Sequence, residues 1–207
     1  MYTPEMFVET DPSEVAGLIE AHPLAVIVTN GSDGLVANHI PVLSHGDDRL
    51  IGHIALANDM HRTVEEGTEI LLIFRGEDAY ISPNWYLSKK TNPSHVPTWN
   101  YQVVHVYGRI SFQHDEKSKR AVVGRLTKRF ETETNGDAGW KMSDAPRDYM
   151  EMMLSNIVAF EIEITRMLGK SKLSQNRQLP DFLNVASELD ARGAGDLSER
   201  MKRFERD

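Results

Sequence analysis

Hydrophobic positions along this chain change their period several times, and each change marks an element. Asp11-Pro12-Ser13-Glu14 has the form of a helix entry, with a capping Asp, Pro at the first helical position and an acid three residues on to close a capping box. Val15, Leu18 and Ile19 follow at helical spacing, and Pro23 stops the helix. Strands begin at Leu24. Leu24–Thr29 is a short apolar run, Asn30-Gly31 and Asp33-Gly34 are turn signals, and Leu35–Leu43 returns. The stretch His45-Gly46-Asp47-Asp48 turns the chain again into Arg49–Ala55.

Glu69–Phe74 and Ala79–Ser82 read as two further strands joined through Gly76. Asn100–Phe112 is the longest strand signal, dense in β-branched and aromatic residues. Val158–Ile164 alternates, with Val158, Phe160, Ile162 and Ile164 expected on a buried face and Ala159, Glu161 and Glu163 on a wet one. Helical spacing covers 115–133, where Val122, Val123, Leu126 and Phe130 form one stripe, and two shorter segments at 181–189 and 196–206. Six or seven short strands with tight turns, and no strand–helix alternation, predict a mainly β chain (α+β by content): a closed antiparallel barrel with peripheral helices. With no repeat and no low-complexity linker, 1–207 reads as a single domain with a helical C-terminal extension from about 179.

Composition narrows the chemistry. The 207 residues include no Cys, which removes disulfides, thiolate zinc sites and thiol nucleophiles. No apolar run approaches the roughly 18 residues of a membrane span, and the opening MYTPEMF has no leader pattern, so a cytoplasmic location without membrane contact is expected. Lys and Arg number 23 against 31 Asp and Glu, a net charge of -8 that disfavours general nucleic-acid binding. The one basic face is on the 115–133 helix, where Lys117, Arg120, Arg125, Lys128 and Arg129 offer the only plausible DNA footprint. The eight histidines include no HExxH pair, with His39, His53 and His105 on strands and His61 and His95 in loops, so no metal site is expected. GxSxG, Walker A and GxGxxG motifs are absent, and no catalytic residue can be assigned.

Tyr80-Ile81-Ser82-Pro83-Asn84-Trp85-Tyr86 and Val96-Pro97-Thr98-Trp99-Asn100-Tyr101 place two tryptophans and three tyrosines within 22 residues. Either these aromatics fill barrel corners, or they stack on a flat conjugated ligand whose polar edge the interleaved amides and hydroxyls read. Together with Asn38-His39-Ile40-Pro41, Gly52-His53-Ile54-Ala55, VPTWNYQVVHVYGR at 96–109 and Lys172-Leu173-Ser174-Gln175-Asn176-Arg177, they resemble the PaiB family. Members of that family are described as FMN-binding negative transcriptional regulators. The resemblance runs from the first residues to about Leu189. It implies a six-to-seven-stranded split barrel of the FMN-binding type, assembled as a homodimer.

The resemblance also suggests where FMN sits. Ala57–Thr63 matches the stretch with which split-barrel oxidases grip phosphate, making Arg62 the leading phosphate ligand with Thr63 beside it; otherwise Arg62 is a surface residue at a helix start. The family's GHxAxxNPxWRT pattern appears here as GHIALANDMHRT: Asn58, Arg62 and Thr63 match, while Asp59 replaces a Pro and His61 a Trp. A carboxylate beside a phosphate would repel it. Asn38, His39, His53 and Ala55 are expected at the isoalloxazine edge, although His39 and His53 are equally readable as core histidines. Trp99, Asn100 and Tyr101 would close the ring side across a dimer interface, and Lys172, Gln175 and Asn176 would add polar contacts. Three functions follow: a flavin-responsive regulator, a flavin-dependent oxidoreductase for a small molecule, or a haem-handling split barrel.

Overall fold

The computed structural model describes residues 1–31 and 34–204, so Asp33 of the second turn signal and the last residues of the 196–206 helix lie outside the described residues. Seven strands form one sheet: β1 (Val8–Glu9), β2 (Leu24–Gly31), β3 (Gly34–Ser44), β4 (Arg49–Ala55), β5 (Glu69–Ile81), β6 (Thr98–Gln113) and β7 (Ile157–Lys172). Their order is β1-β7-β4-β3-β2-β5-β6, and pairing of β6 with β7 closes the antiparallel sheet into a ring. The helices are α1 (Pro12–Ala21), α2 (Met60–Thr63), α3 (Glu116–Asn135), α4 (Arg147–Ser155), α5 (Leu179–Ala191) and α6 (Gly195–Lys202). The barrel expected from the strand pattern is present.

Two compact units can be distinguished by their internal contacts. One holds His22–Phe74 and His105–Met167; the other holds Met1–Ala21, Arg75–Val104 and the chain from Leu168 on. In the larger unit, Ile27, Leu72, Phe74, Ile110, Phe160 and Ile162 are completely buried on the interior face. Part of the outer face is covered as well. Val122 and Leu126 of α3 pack on Ile51 of β4 and Ala159 of β7. The outer face of β7 is therefore dry at Ala159, and Glu161 lies under an ion pair to Arg49 at 2.9 Å. An amphipathic helix needed a sheet face to bury its stripe, and it took this one. In the smaller unit, Phe182, Val185 and Leu189 of α5 and Leu197 and Met201 of α6 close over Ile81, Tyr86 and Leu173.

Several boundaries differ from expectation for identifiable reasons. β5 is continuous through Gly76. β7 runs eight residues beyond Ile164, through a stretch whose apolar alternation has stopped. Helix α4 was not apparent in the sequence, although Pro146 at its N-cap and buried Met150 and Leu154 at i, i+4 carry its signal. At α1, Asp11 does accept from the Ser13 amide at 2.9 Å, but Glu14 does not complete a capping box. The Asp11 amide is taken by Glu9 at 3.1 Å, and Glu14 pairs with Arg200 and Arg203 instead.

Strand closure leaves no room for a side chain at Gly108 of β6. A Cβ there would lie 2.5 Å from Ile162 Cγ2 and 2.6 Å from the Glu163 carbonyl oxygen on β7. Gly108→Ala should destabilise the fold by about 1–3 kcal/mol, read as a lower urea midpoint. Gly17→Ala, with open space around it in α1, should be neutral or stabilising. Equal midpoints for the two variants would show that this contact is not tight.

Candidate flavin site

The α2 segment is built by its own amides. Asn58 accepts from the Met60 amide at 2.9 Å and donates to Asn38 Oδ1 at 2.9 Å, while Asn38 reaches Met60 Sδ at 3.9 Å. These contacts fasten α2 to β3 and shape a cleft of about 290 Å³ whose lining includes Thr29, Asn38, Asn58, Asp59, Met60 and Thr63. Among the described residues that lining holds one carboxylate and no cation. Arg62 lies outside it, ion-paired with Asp59 and 3.4 Å from the Leu56 carbonyl. His61 Nε2 contacts the same carbonyl at 3.0 Å, so it carries the proton there, and the ring meets His114 edge-on at 5.5 Å.

Alternation separates residues that the sequence groups together. Asn38 and His39 are neighbours on β3 and leave it on opposite faces: Asn38 toward the cleft, His39 to the exterior. His53 and Ala55 share the face of Ile51, and His53 stands opposite Ala159 in the register with β7. Nδ1 atoms of His53 and His105 are buried with no hydrogen-bond partner among the described residues. Burial lowers both imidazoles below their ordinary value, so both are neutral at pH 7.

In the smaller unit, the ends of β6 and β7 carry a second group. Trp99, half exposed at 51%, meets Tyr80 edge-on with ring centroids 6.0 Å apart. Lys172 Nζ donates to Thr98 Oγ1 and, at 2.8 Å, to the Trp99 carbonyl. Lys170, two residues back on the same face, lies 5.1 Å from the Tyr101 ring centroid. After β7 the chain turns through Ser174, whose φ of 66° is the only positive value at a non-glycine among the described residues. Asn100, 0% exposed, holds that turn by accepting from Ser174 Oγ at 3.1 Å and donating to Met201 Sδ. Gln175 ties it from within, accepting from Leu173 N at 2.7 Å and donating to the Ser171 carbonyl. Asn100 and Gln175, expected at the cofactor, are thus interior residues that set the turn. Asn176 is exposed, and Arg177 stacks over Tyr86 at 4.3 Å.

One constellation escaped sequence reading. Ser88 donates to Asp181 Oδ2 at 2.5 Å, and His95 Nε2 lies 2.9 Å from the same hydroxyl. The hydroxyl proton goes to the carboxylate, so His95 cannot act as its base. Burial works to raise the Asp181 carboxyl, but the Ser88 hydrogen bonds outweigh it and hold the group below its ordinary value. The trio is a clamp between α5 and the connection from β5 to β6. Trp85 is likewise engaged within its own chain, packed on the α5–α6 cluster with Arg192 at 5.0 Å.

Residues 1–166 match the family model described as "Putative FMN-binding domain". The chain belongs to this family. FMN is the cofactor that goes with it. Among relatives, the protease synthase and sporulation protein PAI 2 of Bacillus subtilis is 33% identical over 194 residues, covering 91% of this chain and 89% of its own length. An uncharacterized protein of Aspergillus fumigatus is 29% identical over 224 residues, covering 84% and 85%. Solved structures share the fold at low identity. A FAD and heme binding protein from Mycobacterium smegmatis superposes with TM-score 0.59 at 18% identity, over 80% of this chain and 73% of that one. A flavocytochrome from Azotobacter vinelandii also gives 0.59, at 15% identity, over 80% and 69%.

Both imidazole shifts fix a sign. The unfolded chain binds protons on His53 and His105 more readily than the native chain, so their contribution to stability is complete above about pH 6.5. It is lost as pH falls through that value toward the lower native ones. Urea unfolding at pH 7.5 and 5.5 should show lower stability at the acid end, and a His53→Gln, His105→Gln variant should lose less between the two. An identical loss in the double variant would exclude these residues as the cause.

Proposed function

We propose that this chain is a flavin-responsive regulator: a cytoplasmic homodimer, one FMN-binding domain per chain, in which FMN occupancy or redox state sets an interaction with another macromolecule. The observation that carries this reading is the exposed Trp99–Tyr80 pair beside Tyr101 and Lys172. It offers an aromatic wall for an isoalloxazine, and so suits the group the family implies. Bound FMN would supply one- or two-electron chemistry there. Trp99 would cover the ring, Tyr101 would flank it, and Asn176 would meet its polar rim.

Regulation is favoured over turnover because the ring and hydrogen-bond partners of Trp99, Tyr80 and the Lys172 ammonium among the described residues are rings, a hydroxyl and a carbonyl, none of them a carboxylate or an imidazole to move a proton. The Bacillus subtilis relative is named for protease synthase and sporulation, not for a substrate. Direct DNA contact through α3 draws little support. Arg120 is paired with Glu116 and Arg129 with Glu133, while Arg125 contacts His45, leaving Lys117 and Lys128 as the cations of that face with no ion pair or side-chain hydrogen bond among the described residues. A second subunit is favoured by the large exposed aromatic surface at Trp99.

Titrating FMN into the purified protein and following the flavin's visible bands should give saturable binding, which Trp99→Ala weakens about tenfold through lost stacking and burial. An unchanged dissociation constant in that variant would move the ring elsewhere. Light scattering should give about twice the chain mass of 23.4 kDa, and a monomeric mass would remove the dimer.

A further inference from the structure

We propose that Lys170, Lys172 and Arg177 form an anion site for a phosphoryl group, and that this site, not Arg62, holds the phosphate of FMN. The second half of this statement rests on the flavin reading above; the first does not. The argument begins with Lys170. Its side chain is buried to 7% exposure, and its contacts are the Tyr2 carbonyl at 3.1 Å and the rings of Tyr101 and Tyr2. An ammonium removed from water without an opposing charge is costly, and aromatic faces offset only part of that cost. The chain carries eight more acids than bases, yet none reaches Lys170 among the described residues. The acid on the adjoining strand, Glu9, lies opposite Gly169 in the register, on the other face of β7, and spends its oxygens on Ser171 Oγ and the Asp11 amide.

The other two cations are also without a carboxylate among the described residues. Lys172 uses two of its three donors on Thr98 Oγ1 and the Trp99 carbonyl, which fixes the ammonium and leaves one N–H. Stacking on Tyr86 occupies the face of the Arg177 guanidinium and leaves in-plane donors for an acceptor. All three fields overlap: burial first, then the charges of Lys170 and Arg177, hold the Lys172 ammonium below its ordinary value. Three like charges gathered without a counter-ion repel one another, and an incoming dianion relieves that repulsion. The Ser174 turn, held by Asn100 and Gln175, is closed by the Arg177 amide donating to the Ser174 carbonyl at 2.9 Å, which keeps Arg177 next to the strand end. Arg62, by contrast, already has its acid in Asp59.

The test compares FMN with riboflavin, which lacks the phosphate, and adds inorganic phosphate as a probe by itself. Lys172→Met and Arg177→Met should each weaken FMN about tenfold or more and leave riboflavin unchanged; Lys172→Arg should keep most of the preference, and Arg62→Ala all of it. Inorganic phosphate should raise the melting temperature of the wild type above that in chloride of equal ionic strength, compete with FMN, and do neither in the two Met variants. Melting in chloride shows whether each variant is folded. If Arg62→Ala abolishes the preference and the Met variants keep it, the assignment of the FMN phosphate is overturned. Phosphate protection that survives both Met variants, or is absent from the wild type, overturns the anion site itself. Should neither flavin bind, the flavin reading fails, and the phosphate melting series still decides the site.

Discussion

The approach of β7 to its neighbours is the constraint on which the rest of this structure depends. β7 pairs with β4 from Ile157 to Glu163, with β1 at Gly169 and Lys170, and with β6 to close the ring. At two of these approaches the facing residue is a glycine that nothing larger can replace without movement. Gly52 lies under the Phe160 ring, where a Cβ would be 2.5 Å from Cζ, and Gly108 lies against Ile162 and the Glu163 backbone. Without them Phe160 and Ile162 could not enter the interior that they fill. Closure also removes the exposed strand edges that an open sheet of this size would have to protect.

Once the register is set, the period of two distributes the chemistry. On β3 it sends Asn38 to the cleft and His39 to the exterior. On β7 it puts Lys170 and Lys172 on one face and Ser171, with its hydrogen bond from Gln102 and its own to Glu9, on the other. The same rule that buries Phe160 therefore separates the acid of β1 from the cations of β7. Adjacent like charges are ordinarily relieved by a neighbouring acid. Here strand geometry keeps that acid away, and the cations rest against aromatic rings instead.

Much of the fold was legible because the strands carry their pattern locally: β2, β3, β4 and β6 fall within a few residues of the runs that predicted them. The second half of β7 was not, since Thr165, Arg166 and Met167 are exposed and offer no apolar alternation to read. Its pairing with β1 is a long-range fact. Site residues divide in the same way. The aromatic block announced itself through composition, while Asn100 and Gln175 looked like ligand contacts because an amide in sequence does not reveal whether it faces a ligand or a turn. Nothing local joins Lys170 to Arg177. They belong together only because a strand ends between them and the next turn is held in a left-handed residue.

The departures from the family pattern at Asp59 and His61 act together on this charge distribution. A Pro at 59 would offer Arg62 no partner, whereas the Asp here takes the guanidinium three residues on, and His61 donates to the Leu56 carbonyl that Arg62 also approaches. The α2 segment has become self-satisfied, its amides spent on Asn38 and Met60 and its cation spent on its own acid. An anion arriving there would have to displace Asp59 from Arg62 and then remain beside the displaced carboxylate. The KLSQNR segment has no such acid on Lys172 or Arg177 among the described residues. For a ligand of fixed negative charge, the free-energy difference between the two places is set less by how many donors each contains than by how many of those donors are already used.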